Sequence, residues 1–245
     1  MQKNILSPSG AAHVLYEIDG HLYTTFVVAR LVGMPIPRSL ELAWGCQVPD
    51  ANKKYTAVSA AWRSLWKTYE LDLMRVLHSI HGGKQEQVRK RREDLKQLIT
   101  EAIQRGDPDW RTGLMIHAYG DSFAHTFLKM GEEHSYEPPF GHAGHGHKPD
   151  KIGNFPEKYL EYVAGLYAAL GGQGDPPTAL DGLIKIVEDN DGNNSKISSS
   201  IATYAAELGM TDEGSDSVRD RLLKDITEKD VVETMAAMEA RFAKD

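Results

Sequence analysis

Apolar residues recur at the three- and four-residue spacing of an α-helix along most of this chain, whereas the alternation typical of a half-buried strand is nearly absent. Sequence patterns predict helices over residues 22–32, 38–46, 54–80, 85–104, 156–170, 178–187, 197–208, 215–226 and 228–243, and one more that opens at Asp107-Pro108-Asp109. We therefore expect an all-α fold, a single globular domain of about eight to ten helices.

Histidine is distributed unevenly along this helical chain. Eight of the ten histidines lie between His78 and His147, and the region after about Gly174 contains none. We expect residues 1–174 to form the core that carries the functional site, and residues 175–245 to form a C-terminal helical cap packed on that core. Residues 132–154 are rich in Gly, Pro and His, and they are predicted to form a long irregular loop, a kind of segment that is usually functional or disordered.

Composition excludes several classes of protein. The formal net charge is −7, so a general nucleic-acid-binding surface is not indicated, and the basic run Arg89–Arg92 is interpreted as a solvated helix face. The single cysteine, Cys46, excludes an internal disulfide and a cluster of several thiolates. No secretory signal and no membrane-spanning apolar run is visible. We expect a protein that is soluble and cytoplasmic as made, and export by a non-classical or dedicated secretion route stays open.

The run His117-Ala-Tyr-Gly-Asp121-Ser-Phe-Ala-His125 places three good metal ligands on the helix that opens at Asp109. Steps of four residues fan these side chains over about 80° of the helix surface. Ligands fanned in this way can serve one metal ion or two neighbouring ions. Packing alone rarely gathers His, Asp and His at this spacing, so the run predicts a metal site.

A second group of potential ligands follows in the glycine-rich loop. The segment Gly141-His142-Ala-Gly-His145-Gly-His147-Lys-Pro-Asp150 carries three histidines and a carboxylate, and a flexible metal-scavenging tract is its alternative interpretation. Imidazole nitrogen and carboxylate oxygen together suit zinc, and manganese, iron or nickel remain open.

Further donors lie upstream of these two groups, and each has a structural alternative. Asp19 and His21 stand together at the start of the first helix, where Asp19 could instead be an N-cap. Asp50 follows a proline in a predicted turn and could cap the next helix. His78 and His81 are one turn apart at the end of the long helix, and either could be a ligand or an ordinary helix-end residue.

The order of these residues resembles a known superfamily. Its signature is carried by Asp19-Gly-His21-Leu-Tyr-Thr-Thr-Phe, Leu42-Ala-Trp44-Gly-Cys-Gln47-Val-Pro-Asp50, His78/His81, His117-x-x-x-Asp121, His125 and His142. From about Asp19 to about Asp150 the chain resembles the all-helical zinc-dependent phospholipases C and single-strand-specific nucleases, and it is most similar to a less characterised bacterial branch of them.

The resemblance implies two or three zinc ions held by His and Asp side chains. His117 and Asp121 would be central ligands, with Asp121 bridging two ions, and Asp50 with one of His78/His81 would complete the first ion. The remaining ligands would be His125 with His142, His147 and Asp150 for a second ion, and Asp19 with His21 for a third. The chain departs from the secreted members because Asp19 stands in for an N-terminal tryptophan amine, the step from Asp121 to His125 is shorter, and a His-Gly loop ending in Asp150 replaces His-x-x-x-Glu.

The function that this resemblance implies is hydrolysis of a phosphoric ester by metal-activated water, with Asp50 orienting the water or accepting its proton. A phospholipid substrate is preferred over nucleic acid, in a phospholipase C-like enzyme that could act as a toxin. The aromatic rings of Tyr136, Phe140 and Phe155 could contact a lipid tail or stack on a base.

A zinc-dependent nuclease and a non-catalytic metal-binding protein are the alternatives. The chain lacks a His-Asp dipeptide and His-Glu-x-x-His, which counts against two other metallohydrolase classes. The sequence leaves the oligomeric state open, and no stable nucleic-acid complex is expected.

Overall fold

The structure is a computed structural model that describes residues 18–57, 60, 68–138 and 151–243. The all-α prediction is confirmed, since eleven α-helices and one small antiparallel sheet make up this part of the chain. The N-terminal half contains α1 (Thr24–Leu31), α2 (Ile36–Ala51), α3 (Thr68–Asp72), α4 (Gln85–Arg105), α5 (Asp109–Ala124), β1 (Thr126–Lys129) and β2 (Glu132–Ser135). The C-terminal half contains α6 (Pro156–Ala169), α7 (Pro176–Ala179), α8 (Asp181–Asp189), α9 (Asn194–Glu207), α10 (Asp212–Asp225) and α11 (Glu228–Phe242).

Two short π-helical turns adjoin these elements. One turn, Asp19–Tyr23, leads directly into α1, and the other, Leu73–Leu77, continues α3. A π turn widens the helix by one residue and changes the direction of the side chains around it, and such turns are frequent at functional sites. Here the first turn contains His21 and the second ends immediately before His78.

Helices α2 and α5 cross in direct backbone contact at the centre of the molecule. A Cβ atom added to Gly45 would lie 2.4 Å from the carbonyl oxygen of Trp110, and one added to Gly113 would lie 2.5 Å from that of Leu42. Only glycine allows such an approach. The crossing brings the second half of α2 against the face of α5 that carries His117.

The C-terminal helices are hydrogen-bonded to the N-terminal ones. The indole nitrogen of Trp44 donates to Ser215 Oγ at 2.9 Å, and Arg30 Nε donates to the carbonyl oxygen of Leu208 at 3.2 Å. Apolar side chains of α9 and α11, such as Ile201 and Met238, are fully buried in the same core as those of α1 to α5. The division of the chain near residue 174 stays a prediction.

A β-hairpin replaces the first part of the predicted irregular loop. Thr126 pairs with Ser135 and Lys129 with Glu132, and the turn between the strands has left-handed backbone at Met130 and Gly131, with φ of 54° and 85°. Strands of four residues are too short to show alternation, which is why the sequence pattern missed them.

An ion-pair network ties this hairpin to the helices. The guanidinium of Arg92, which is buried, donates to both carboxylate oxygens of Glu133 at 2.8 and 3.0 Å, and to the carbonyl oxygen of Ser122. Lys158 of α6 lies 3.2 Å from Glu133. The network therefore fixes the hairpin relative to the C-terminal end of α5.

Two helix ends differ from the prediction. The helix predicted over residues 38–46 is longer in the structure, where α2 runs from Ile36 through Pro49 to Ala51, because a proline in the last turn costs only one backbone hydrogen bond there. Asp50 therefore lies inside a helix and is not in a turn that caps the next one. The predicted helix over residues 54–80 begins later than Tyr55, which lies in a turn, and its last helical residue is Leu77 rather than Ile80.

The reason for the earlier stop is the backbone at Ser79, which has a φ of 50° and is buried. Its hydroxyl donates to the carbonyl oxygen of Ala118 at 2.7 Å, and its own carbonyl accepts from Ser135 Oγ at 3.0 Å. These contacts with α5 and the hairpin hold the left-handed conformation.

The part of the chain that the structure describes contains no helix long and apolar enough to cross a bilayer.

Candidate metal centre

Five buried polar side chains meet where the first π turn, α2, the end of the second π turn and α5 come together. His21, His78, His117 and Asp121 have no exposed surface, and Asp50 is 5% exposed. Among the described residues, Asp50, His78 and His117 form one group whose potential ligand atoms lie within 4.8 Å of one another, and His21, Cys46 and His117 form another. These buried groups can hold a metal ion.

The proton positions on His78 and His117 are set by two backbone carbonyls. His78 Nε2 lies 2.8 Å from the carbonyl oxygen of Tyr55, and His117 Nδ1 lies 2.9 Å from that of Cys46. A carbonyl oxygen can only accept, so each of these nitrogens carries the proton and donates it. In the neutral form of each ring, the opposite nitrogen, His78 Nδ1 or His117 Nε2, carries the lone pair.

Both lone pairs face the same oxygen of Asp121. His78 Nδ1 lies 3.0 Å from His117 Nε2, and Asp121 Oδ2 lies 3.1 Å from the first and 3.2 Å from the second. Three acceptor atoms at such distances repel one another unless a cation lies between them. A zinc ion about 2.0–2.1 Å from each donor keeps donors roughly 3.0–3.4 Å apart, so this triangle already has the dimensions of three zinc ligands.

Asp121 presents its second oxygen to a different partner. His21 Nε2 lies 3.2 Å from Asp121 Oδ1 and 3.6 Å from Asp50 Oδ2. Asp121 thus has His78 and His117 on one oxygen and His21 on the other, which is the arrangement of a carboxylate that bridges two ions. Asp50 faces both sets, because it also belongs to the group with His78 and His117.

Electrostatics keep Asp121 and His117 in the protonation states of metal ligands. Burial by itself would raise the pKa of Asp121, but neighbouring histidines, His125 and His21 among them, outweigh it and hold that pKa well below its usual range. Burial lowers the pKa of His117 to about 3, although Asp121 opposes the shift. The carboxylate is therefore ionised and His117 neutral, as metal binding requires.

Cys46 is a neighbour of the site that sequence reasoning missed. Its Sγ lies 3.5 Å from His21 Nδ1, and burial raises the pKa of its thiol well above the usual range. A single cysteine excludes only a cluster of several thiolates, and the spacing of Cys46 four residues before Asp50 was the available signal. His117 Nδ1 already donates to the Cys46 carbonyl, so His117 presents its Nε2 to His78 and Asp121.

His125 does not continue the helix that carries His117 and Asp121. Helix α5 ends at Ala124, and His125 Nδ1 lies 2.6 Å from the carbonyl oxygen of His78, to which it donates, and 3.6 Å from Asp121 Oδ2. Nδ1 of His125 is therefore engaged with a backbone carbonyl and does not face a metal ion. The residues expected to share an ion with His125, which are His142, His147 and Asp150, lie outside the described residues, as do Phe140 and His145.

Asp19 and His81 belong to neither group of potential ligands among the described residues. Asp19 is buried inside the first π turn and is not an N-cap; its backbone carbonyl accepts from Thr24 Oγ1 at 2.6 Å. His81 lies beyond Ser79, and its Nδ1 accepts from the Gly83 N–H at 3.1 Å. The structure thus brings His78, rather than His81, to Asp121.

Comparisons with protein-family models, with curated proteins and with solved structures find no match for this chain. The superfamily likeness therefore rests on the motif residues alone.

His81 gives the protein a predicted acid sensitivity. Burial, reinforced by Arg91 and Arg92, lowers the pKa of His81 to about 3 from 6.5. As the pH falls, the unfolded chain is protonated at this histidine before the folded chain is. The free energy of unfolding therefore decreases as the pH falls from about 6.5 towards 3, by up to about 1.4 kcal/mol per pH unit. Urea unfolding at pH 7, 6 and 5 should show a shallower slope for His81→Gln than for wild type. The exchange His134→Gln, in the hairpin, is the control, and equal slopes for wild type and His81→Gln would contradict the prediction.

Proposed function

We propose that this protein is a metal-dependent phosphoric ester hydrolase whose primary zinc ion is held by Asp50, His78, His117 and Asp121. The observation that carries the proposal is the triangle of His78 Nδ1, His117 Nε2 and Asp121 Oδ2, whose lone pairs converge at 3.0–3.2 Å with both imidazole protons directed away. The contact between Asp121 Oδ1 and His21 supports a second ion beside the first.

The chemistry that zinc supplies when bound is Lewis acidity, which lowers the pKa of water to about 7 and neutralises charge on phosphoryl oxygens. The protein orients the ligand side chains and excludes bulk water from them. The carbonyls of Tyr55 and Cys46 fix the two imidazole rings, a role that the hydrogen-bond partners of metal-binding histidines commonly have. Complete burial of the ligands keeps bulk water from competing for them.

Asp50 is our candidate for orienting the attacking water or accepting its proton. Its carboxylate is buried at the end of α2, 3.6 Å from His21 Nε2 and within 4.8 Å of the ligand atoms of His78 and His117. A carboxylate in this position can hold a proton next to the ions, or it can act as a ligand only. Replacement of Asp50 separates these roles, because loss of turnover with metal retained indicates the proton role.

A phospholipid is the preferred substrate, since a net charge of −7 disfavours a long polyanion. The exposed ring of Phe155, 42% accessible, is available for an apolar substrate chain. Tyr136 is not, because it is buried and packs against Phe127 with ring centroids 4.8 Å apart. Nuclease activity is the alternative outcome of a substrate comparison.

A metal centre without catalysis is the second candidate, and it is favoured by the complete burial of the four histidine and aspartate side chains His21, His78, His117 and Asp121. Structural zinc sites are closed, whereas catalytic sites keep one position open to water or substrate. This candidate predicts tightly bound zinc and no hydrolysis.

The test is turnover of p-nitrophenyl phosphorylcholine, bis-p-nitrophenyl phosphate and single-stranded DNA by zinc-loaded protein, before and after chelation. We expect chelator-sensitive hydrolysis of the phosphorylcholine ester, and a loss of at least about 100-fold in Asp50→Asn. His134→Gln is the control, because His134 lies in the hairpin, outside the ligand groups. Bound zinc without turnover of any substrate would support the metal centre without catalysis. A folded protein that binds no zinc would overturn both candidates.

A further inference from the structure

A cavity of about 560 Å³ lies outside the metal centre, since none of the proposed ligands lines it. Its walls come from the second π turn, the segment from His81 to Gly83, the first half of α4 and the end of α11. The side chains that matter for its chemistry are Arg75, His81, Lys90, Arg91, Glu239 and Phe242.

Arg91 is the fixed cation of this cavity. Its guanidinium stacks 3.6 Å from the centroid of the Phe242 ring and donates one hydrogen bond, at 3.3 Å, to the carbonyl oxygen of Arg75. Within the described ranges, no carboxylate lies at ion-pair distance from the guanidinium of Arg91 or of Arg75. Burial lowers the pKa of Arg91 to about 10, although Asp94 and Glu239 oppose the shift, as expected for a cation without a full counter-charge.

Lys90 and His81 add no uncompensated charge to the cavity. Lys90 Nζ donates to Asp94 Oδ2 at 2.8 Å, so these two charges largely cancel. His81 Nδ1 accepts from the Gly83 N–H, which leaves the proton of the neutral ring on Nε2 as a donor. The cavity thus offers two unpaired guanidinium groups and an imidazole N–H, opposed by the exposed carboxylate of Glu239.

We propose that this cavity binds a small oxyanion of the phosphate class, inorganic phosphate or a phosphate monoester, through Arg75, Arg91 and His81 Nε2. The planar guanidinium forks of two arginines match a phosphate, which accepts several parallel hydrogen bonds. The volume exceeds that of phosphate alone, so it leaves room for the organic part of a monoester. Because the ligands of the metal centre are not involved, the site is independent of the proposed hydrolysis.

The experiment is calorimetric titration of the full chain with inorganic phosphate at low ionic strength, both zinc-loaded and after chelation. We expect saturable binding in both states. Loss of a charge-assisted contact in Arg91→Gln should weaken it about tenfold or more. Arg89→Gln is the matched control, since it removes the same charge from an exposed position of α4 that does not line the cavity.

A second variant tests the site in the opposite direction. Glu239→Gln removes the opposing carboxylate, so it should tighten phosphate binding several-fold, and this result does not depend on the folding of Arg91→Gln. Absence of saturable binding, equal weakening in Arg89→Gln and Arg91→Gln, or binding that disappears on chelation would each overturn the proposal. The last result would assign the phosphate to the metal centre.

Discussion

Replacing Asp121 with asparagine is expected to lower the affinity for zinc by at least about 100-fold and, in the chelated protein, to raise stability. The amide has the shape of the carboxylate but lacks its charge. In place of Oδ2, the NH2 group of asparagine presents two N–H donors to the lone pairs of His78 Nδ1 and His117 Nε2, 3.1 and 3.2 Å away. The repulsion that a cation relieves in the wild type would be relieved in the variant by these two hydrogen bonds.

Metal content by mass spectrometry and zinc competition with a chromogenic chelator measure the first effect, and urea unfolding in chelator measures the second. Asp121→Ala separates the two effects, because it removes the ligand without supplying donors and should destabilise the chelated protein. Asp109→Asn, at the start of the same helix, is the control for charge. Wild-type zinc affinity in Asp121→Asn, or a chelated variant less stable than wild type, would refute the expectation.

The exchange Gly113→Ala should lower the free energy of unfolding by about 3 kcal/mol. The new methyl group would lie 2.5 Å from the Leu42 carbonyl and 2.7 Å from the Cys46 backbone nitrogen, so α2 and α5 must separate. Backbone atoms cannot rotate out of the way as a side chain can. The separation would also draw Asp50 away from His117, and zinc affinity should fall together with stability.

Urea unfolding and zinc competition on Gly113→Ala measure both losses. Gly214→Ala is the control for the intrinsic helix preference of alanine, because its methyl group meets only the side chains of Thr211 and Leu40, at 3.0 and 3.6 Å. We expect that control to stay within about 1 kcal/mol of wild type. A Gly113→Ala protein as stable as wild type would show that the crossing can relax without cost.

Local sequence patterns were sufficient for most of the helices and for the relative placement of one pair of candidate ligands. The spacing of His117 and Asp121 is a property of a single helix, and α5 presents both side chains to the site as predicted. The capping box of α11, in which Thr227 and Asp230 bond to each other's backbone N–H groups, likewise needs only four consecutive residues.

Features that depend on distant parts of the chain could not be predicted. The choice between His78 and His81 is decided by the backbone of Ser79, which is held by hydrogen bonds to Ala118 and Ser135. The nitrogen of His117 that faces the site is decided by the carbonyl of Cys46, 71 positions away. Cys46 itself reaches His21 only because Gly45 and Gly113 let two helices touch.

The separation of the ligands along the chain sets the order of events during synthesis. His21 and Asp121, whose side chains meet at 3.2 Å, are 100 positions apart, so the first half of the site is made long before its central carboxylate leaves the ribosome. A nascent chain that ends before α5 lacks both His117 and Asp121. Because a preformed site rarely exists before folding, a metal ion at the proposed site would bind only after α5 has been translated and has docked on α2. The proposal therefore places metal binding late, as the core closes, rather than at a short peptide segment during translation.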